Sequence, residues 1–210
     1  MNRAPFKRHR GIVAPLLLSN VNTDAIIPSR EMTRVSRKGM SKGLFAGWRY
    51  LAGPERTPNP EFVLNHDEFS GASILVSGSN FGCGSSREHA VWALAEFGFR
   101  VIIAPSFASI FERNCVNNGV LPLVLRPEEI QQIVDACAKD PQQLQLEVDL
   151  EAQSVTVPDG TVHFFAFDSL QKEVMVNGWD PIDQTLLHAA EIDAFERQDK
   201  QDRAWAYGMF

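Results

Sequence analysis

The sequence predicts an α/β fold with at least partly parallel strands, and three observations carry that reading. Between residues 74 and 138, short β-branched runs alternate with amphipathic stretches, as in strands joined by helices. After Pro141 the hydrophobic period becomes two, which marks antiparallel hairpins. Finally, the strand-like run Ile74-Leu-Val-Ser77 enters a glycine-rich turn that opens a helix.

Ile12 to Leu18 reads as the first strand, followed by the turn-forming run Asn20-Val-Asn-Thr-Asp24 and the apolar Ala25-Ile-Ile27. Residues 29–60 show weak periodicity, with five arginines (Arg30, Arg34, Arg37, Arg49, Arg56), Trp48 and Tyr50 among glycines and prolines. A segment this irregular inside a domain is functional or mobile more often than accidental. Strand 74–77 then leads to a helix over 86–97, in which Ala90, Val91, Leu94 and Ala95 form one apolar stripe ended by Gly98. Arg100 to Ala104 reads as a buried strand, and Ser106 as the cap of a helix over Phe107 to Asn117. Leu121 to Leu125 is the next strand, and Pro127 begins a helix to about Ala138. Leu144 to Leu150, Ser154 to Val157 and Thr161 to Phe167 form the hairpin region, turning at Pro158-Asp-Gly160. Leu170 to Phe210 reads as helical around Gly178 and Pro181, with Trp205, Tyr207, Met209 and Phe210 in a polar tail over about 188–210. The 210 residues are expected to form a single domain with this helical tail.

Composition narrows the function classes. With 44% hydrophobic and 22% charged residues the chain has an ordinary globular make-up, so a real core is expected. A net charge of −6 argues against nucleic acid as the default partner. The short basic cluster of Arg3, Lys7, Arg8, His9 and Arg10 reads as a solvated tail. No run of about 20 apolar residues is present to span a membrane, and no secretory signal is seen. Three cysteines without a C-x-x-C pair suit a reducing compartment. Cytoplasm is the expectation.

The chemistry concentrates in Gly78-Ser-Asn-Phe-Gly-Cys-Gly-Ser-Ser-Arg-Glu-His89. Glycines at a strand-to-helix turn let backbone N–H groups approach a ligand, and a helix start adds orphan donors and a positive dipole end. Ser85-Ser-Arg-Glu88 has the form of a capping box. Capping alone leaves Arg87 unexplained, because the helix N-terminus disfavours a cation. An anionic ligand would offset it, and a guanidinium grips a carboxylate bidentately. The run matches neither the Lys-containing phosphate loop, nor G-x-G-x-x-G, nor G-x-S-x-G. Cys83 reads as a turn-filling residue ahead of a nucleophile, and His89 as a packing residue ahead of a site residue. Asp24 is either an Asx-type turn residue or a carboxylate at a strand end, where open α/β sheets gather ligands.

N-F-G-C-G-S-S-R-E-H at 80–89, V-I-I-A-P-S-F-A at 101–108 and N-T-D-A-I-I-P at 22–28 resemble the small-subunit family of isopropylmalate isomerases, in the aconitase superfamily. F-V-L-N at 62–65, G-A-S-I-L at 71–75 and V-D-L-E-A-Q at 148–153 extend the likeness along nearly the whole chain. The resemblance implies the aconitase swivel fold, with β/β/α layers, a partly closed barrel and here a helical C-terminal extension. It implies Ser85 as the base, Ser86 and Arg87 as holders of substrate carboxylate, Asp24 as an active-site aspartate, and Arg34 or Arg37 in substrate recognition. It also implies a large-subunit partner that carries a [4Fe–4S] cluster, with no metal bound by this chain. The implied activity is a hydro-lyase isomerising 2- to 3-isopropylmalate in leucine biosynthesis, with Leu44, Phe45 and Trp48 against the isopropyl group. Two alternatives stay open: the same chemistry on another small diacid (a homoaconitase or a methylmalate-type dehydratase), or a carboxylate-binding module without catalysis.

Overall fold

Four strands make the parallel half of the molecule, which the computed structural model describes over residues 4–32, 36–139 and 145–208. They are β1 (Arg8–Leu16), β2 (Ile74–Ser77), β3 (Val101–Ala104) and β4 (Leu121–Val124). β2 and β3 are buried at every position, as expected of strands covered on both sides. Three further strands, β5 (Gln145–Asp149), β6 (Ser154–Thr156) and β7 (Val162–Phe164), are antiparallel. Among the described residues all seven join one sheet in the order β4-β3-β2-β1-β5-β6-β7.

β1 serves both halves. Its first part, Arg8 to Ile12, pairs antiparallel with β5, and Val13 to Leu16 pairs parallel with β2. The sheet curls into a half-barrel, so its edge strands β4 and β7 line a common groove through Val124, Val162 and Phe164. This is the α/β architecture with a partly closed barrel that the sequence and its family resemblance imply.

The helices follow in chain order: α1 (Thr23–Ile26), α2 (Ala46–Arg49), α3 (His89–Phe97), α4 (Ser109–Asn117), α5 (Pro127–Lys139), α6 (Ser169–Asn177), α7 (Pro181–Leu186) and α8 (Ala189–Asp202). α5 has Pro127 at its start, Glu128 and Glu129 in its first turn and Lys139 in its last, all favourable to the helix dipole. It packs against β1 and β3, burying Ile130, Ile133 and Cys137. α6 is capped by Asp168, whose Oδ1 accepts from the amides of Leu170 and Gln171. α8 forms the helical C-terminal extension and runs into a short turn, Ala204–Tyr207. No helix among the described residues is long and apolar enough to cross a membrane.

Three local expectations are corrected. Lys7 to Arg10 are not a solvated tail: Arg8 opens β1 and its Nε lies 2.7 Å from the Asp149 carboxylate across the sheet, with Lys7 facing Glu151. Acids on the neighbouring strand allow a basic run to be a strand. Ser106 does not cap α4, which starts later behind Ala108; its Oγ instead accepts from the Asn80 amide. Leu44 and Phe45 are fully buried core residues, and Phe45 stacks on Trp48 and packs on Phe62. Arg3, Leu144, Met209 and Phe210 lie outside the described residues.

His9 on β1 hydrogen-bonds Ser73 through Nε2 at 2.8 Å. Burial, with a smaller push from Arg100, holds its imidazole below the ordinary value. Because the folded value is depressed, protonation favours the unfolded chain. Stability from this residue is complete above the unfolded value of about 6.5 and declines as pH falls through it. Thermal unfolding measured from pH 8 to pH 5 is therefore expected to show a falling midpoint, and His9→Gln should flatten that slope.

Candidate active site

The chemistry-bearing residues leave the sheet side by side. β1 and β2 end together, with Leu16 opposite Ser77. The buried Ser77 hydroxyl donates to the carbonyls of Leu16 (3.0 Å) and Leu18 (3.3 Å), tying the two strand ends. The loops that follow then zip up. Gly78 N–H donates to Leu18 O, Asn20 N–H to Ser79 O, Gly82 N–H to Val21 O and Thr23 N–H to Cys83 O, all at 2.8–3.2 Å. Asn20 and Asn80 both have positive φ, and Asn80 Nδ2 donates to Asn20 Oδ1 at 2.8 Å. Asparagine is among the residues best able to take that conformation. A third loop joins through Phe81, which exchanges backbone hydrogen bonds with Ser106 and Ala108.

The glycines serve this packing. At Gly82 (φ +77°) a Cβ would meet the Phe111 ring at 2.1 Å, and at Gly84 (φ +99°) it would meet Thr23 Oγ1 at 3.3 Å. Glycine density in the turn thus reflects close packing on α4 and on Thr23 in addition to any ligand.

The ladder ends at Ser85, whose N–H donates to the buried Thr23 hydroxyl at 2.9 Å. Ser85 Oγ accepts from Arg87 Nε at 3.0 Å and from Arg87 N–H at 3.3 Å. The capping box expected of Ser85 and Glu88 is therefore absent. α3 starts at His89, Glu88 takes the cap position with helical dihedrals, and no side chain caps it. Ser85 turns toward the guanidinium instead. Arg87 Nη2 lies 3.7 Å from Asp24 Oδ1. Asp24 is thus a site-facing carboxylate in the first turn of α1, and the capping role falls to Asn22, whose Oδ1 accepts from Ala25 N–H at 2.7 Å. Thr23, Asp24, Ser85, Arg87 and His89 line one shallow depression with the apolar Ile27, Met32 and Ala90. Ser86 and Arg87 are exposed at its rim.

Residues 3–128 match the family model of the aconitase C-terminal domain, and 131–169 match that of LeuD_N. The chain is 56% identical over 203 residues to a 3-isopropylmalate dehydratase small subunit of Cupriavidus necator, covering 97% of this chain and 98% of that one. It is 45% identical to the small subunit of the same name from Agrobacterium fabrum, over 96% of this chain and 98% of the relative. The chain belongs to the 3-isopropylmalate dehydratase small-subunit family. A solved structure described as 3-isopropylmalate dehydratase (leuD) from Methanocaldococcus jannaschii superposes with a TM-score of 0.65 at 26% identity, covering 88% of this chain and 99% of that one.

Of the residues that the family resemblance singles out, Ser85, Arg87 and Asp24 come together, with Ser86 adjacent on the rim. Arg37 lies elsewhere, its guanidinium 4.7 Å over the Trp92 ring and outside the lining of the depression. Arg34 falls outside the described residues. Arg49 and Arg56 brace the loop itself, donating to the carbonyls of Ser41 and Lys42. Trp48 lines a different groove, with Leu17, Leu18 and Val63. Sequence reasoning missed Thr23 and Met32 in the site and the buried Asn114, whose Nδ2 donates to Ser86 O at 3.1 Å. A signal for Asn114 was present, because an amide stands beside Cys115 on the buried face of α4.

Two of the three cysteines are unsuited to an iron–sulfur cluster, and Cys83 stands half-buried without a second cysteine gathered beside it among the described residues. Cys115 and Cys137 are buried in the core, where burial pushes both thiols up, Cys137 to about 11. Such thiols stay protonated and are poor ligands. Among the described residues no three His, Cys, Asp or Glu side chains gather as metal ligands.

Gly82→Ala is expected to destabilise the chain by about 2–4 kcal/mol, from positive-φ strain plus overpacking against Phe111. Chemical denaturation would read this as a lower midpoint at unchanged slope.

Proposed function

We infer that this chain is the small subunit of a hydro-lyase that interconverts 2-isopropylmalate and 3-isopropylmalate by removing and re-adding water in leucine biosynthesis. Near-full-length identity to proteins of that name supports the substrate and the pathway. The observation that carries the site is the Ser85 hydroxyl held 3.0 Å from the Arg87 guanidinium, in a depression with a second charge and an apolar wall.

Ser85 is the base. Its oxygen sits at a cation, which stabilises the alkoxide relative to the alcohol. That alkoxide takes a proton from the substrate carbon next to the one bearing the hydroxyl. The C–H electron pair becomes the C=C bond as hydroxide departs, giving an alkene diacid. Return of the Ser85 proton to the other carbon, with water added in the opposite sense, completes the isomerisation. Arg87 and Ser86 hold a substrate carboxylate, Arg87 through its fork of donors. Asp24 draws Arg87 Nη2 to one side and so orients the guanidinium. Met32 presents apolar surface of the kind an isopropyl group needs.

The depression is shallow, with Asp24 and Arg87 exposed and Ser85 and His89 half-buried. The large subunit closes it and excludes water. That partner is expected to hold a [4Fe–4S] cluster, which supplies Lewis-acid assistance to loss of the substrate hydroxyl.

Ser85→Ala is expected to fold and assemble normally while losing about 10³-fold or more in turnover. The measurement is anaerobic reconstitution with the large subunit on a panel of 2-isopropylmalate, homocitrate and citramalate, following the ultraviolet absorbance of the alkene. Full turnover with weakened assembly would return Ser85 to a structural role. Activity confined to another diacid would replace the substrate.

A further inference from the structure

The serine turn is held by an assembly of side chains that take no part in the chemistry above. Residues 84–88 are irregular, and the N-terminus of α3 has no side-chain cap, so the helix itself does not fix where Ser85 and Arg87 stand. One restraint is the Thr23 hydroxyl on Ser85 N–H. The other comes from α4. Asn114 is only 7% exposed, and its Nδ2 donates to Ser86 O at 3.1 Å.

Asn114 is in turn tied down. Asn118 Nδ2 donates to the Asn114 main-chain carbonyl at 2.8 Å, and Asn118 Oδ1 accepts from Trp92 Nε1 at 3.1 Å. An indole nitrogen only donates, so it dictates which end of the Asn118 amide faces it and leaves Nδ2 for Asn114. The Trp92 ring packs against His89, which lines the depression, at 4.7 Å between centroids. The chain of contacts therefore runs from the serine turn through α4 and back to the first turns of α3.

We propose that Asn114 and Asn118 are positioning residues for the Ser85–Arg87 turn. They act through the Ser86 carbonyl and touch neither substrate nor reacting atoms. The turn is held at two points, by Thr23 at the start of α1 and by Asn114 from α4. Without the Asn114 amide the Ser86 carbonyl loses its buried donor, and the peptide between the base and its arginine is free to rotate. A base displaced by about 1 Å loses on the order of 10²-fold in rate. The proposal rests on Ser85 being the base.

The test uses the reconstituted two-subunit enzyme with Asn114→Leu, which keeps volume and removes the donor, and Asn118→Ala as a second variant acting one step further away. Asn114→Leu should lower kcat by about 10²-fold with a smaller change in KM, and Asn118→Ala should lower it several-fold. Amide hydrogen exchange over 85–88 in the full-length small subunit should quicken in both variants while β2 amides keep their protection. A purely structural role would lower the melting temperature and leave kcat per assembled complex, and exchange at the turn, unchanged; that result overturns the proposal. If Asn114→Leu does not fold, Asn118→Ala decides by the same two readouts. Ser85→Ala inactive beside fully active asparagine variants defeats the positioning role alone, whereas Ser85→Ala fully active defeats the assignment of the base.

Discussion

The pairing of the loops that leave β1 and β2 is the constraint on which the rest of the site depends. Eight backbone or side-chain bonds, from Ser77 Oγ to Ser85 N–H, zip one loop to the other. Each is worth only about 1 kcal/mol net, but a buried group left unmatched costs more, so the register cannot slip cheaply. Through it Thr23 meets Ser85 across 62 residues of sequence, and Asp24 stands beside Arg87. The glycines belong to the same constraint, because a Cβ at Gly82 or Gly84 would push the loops apart or drive Phe111 from its place.

Two consequences follow for chemistry. The arginine in the first irregular residues of the turn is not a defective cap; it holds the serine oxygen on one side and faces an aspartate on the other. Asp24, Ser86 and Arg87 also stay at the surface, while Cys115 and Cys137 sink into the core, where burial keeps their thiols protonated. The described residues thus offer a serine hydroxyl, a guanidinium and a carboxylate on an open face, and no three His, Cys, Asp or Glu side chains among them gather as metal ligands. A second chain is the natural source of the rest.

Much of the fold was legible. β2, β3, β4 and α5 fall within one or two residues of their predicted bounds, because continuous β-branched runs and a proline-led amphipathic stretch are strong local signals. The errors have one cause. Ser106 and Ser85 each have the local form of a helix cap, yet the Ser106 hydroxyl accepts from the distant Asn80 amide and the Ser85 hydroxyl from Arg87, which faces Asp24 on another loop. Likewise Arg8 is a strand residue only because Asp149 lies opposite. Leu44 and Phe45 seemed free to meet a ligand in a segment without periodicity, but they fill the core under a loop braced by Arg49 and Arg56.

The sequence by itself determined the strand–helix alternation, the change to hairpins and the chemical identity of the turn, because those properties are written in short windows of side-chain type. Its likeness to a family also named Ser85, Ser86, Arg87 and Asp24 together. Only the tertiary structure decided how they meet: that Gly82 packs on Phe111 and Gly84 on Thr23, that Arg87 lies between Ser85 and Asp24, that Met32 walls the depression, and that a buried asparagine on α4 donates to the Ser86 carbonyl. Those are relations between residues far apart in the chain. They exist once β1 and β2 lie parallel with their ends in register, which no local pattern specifies.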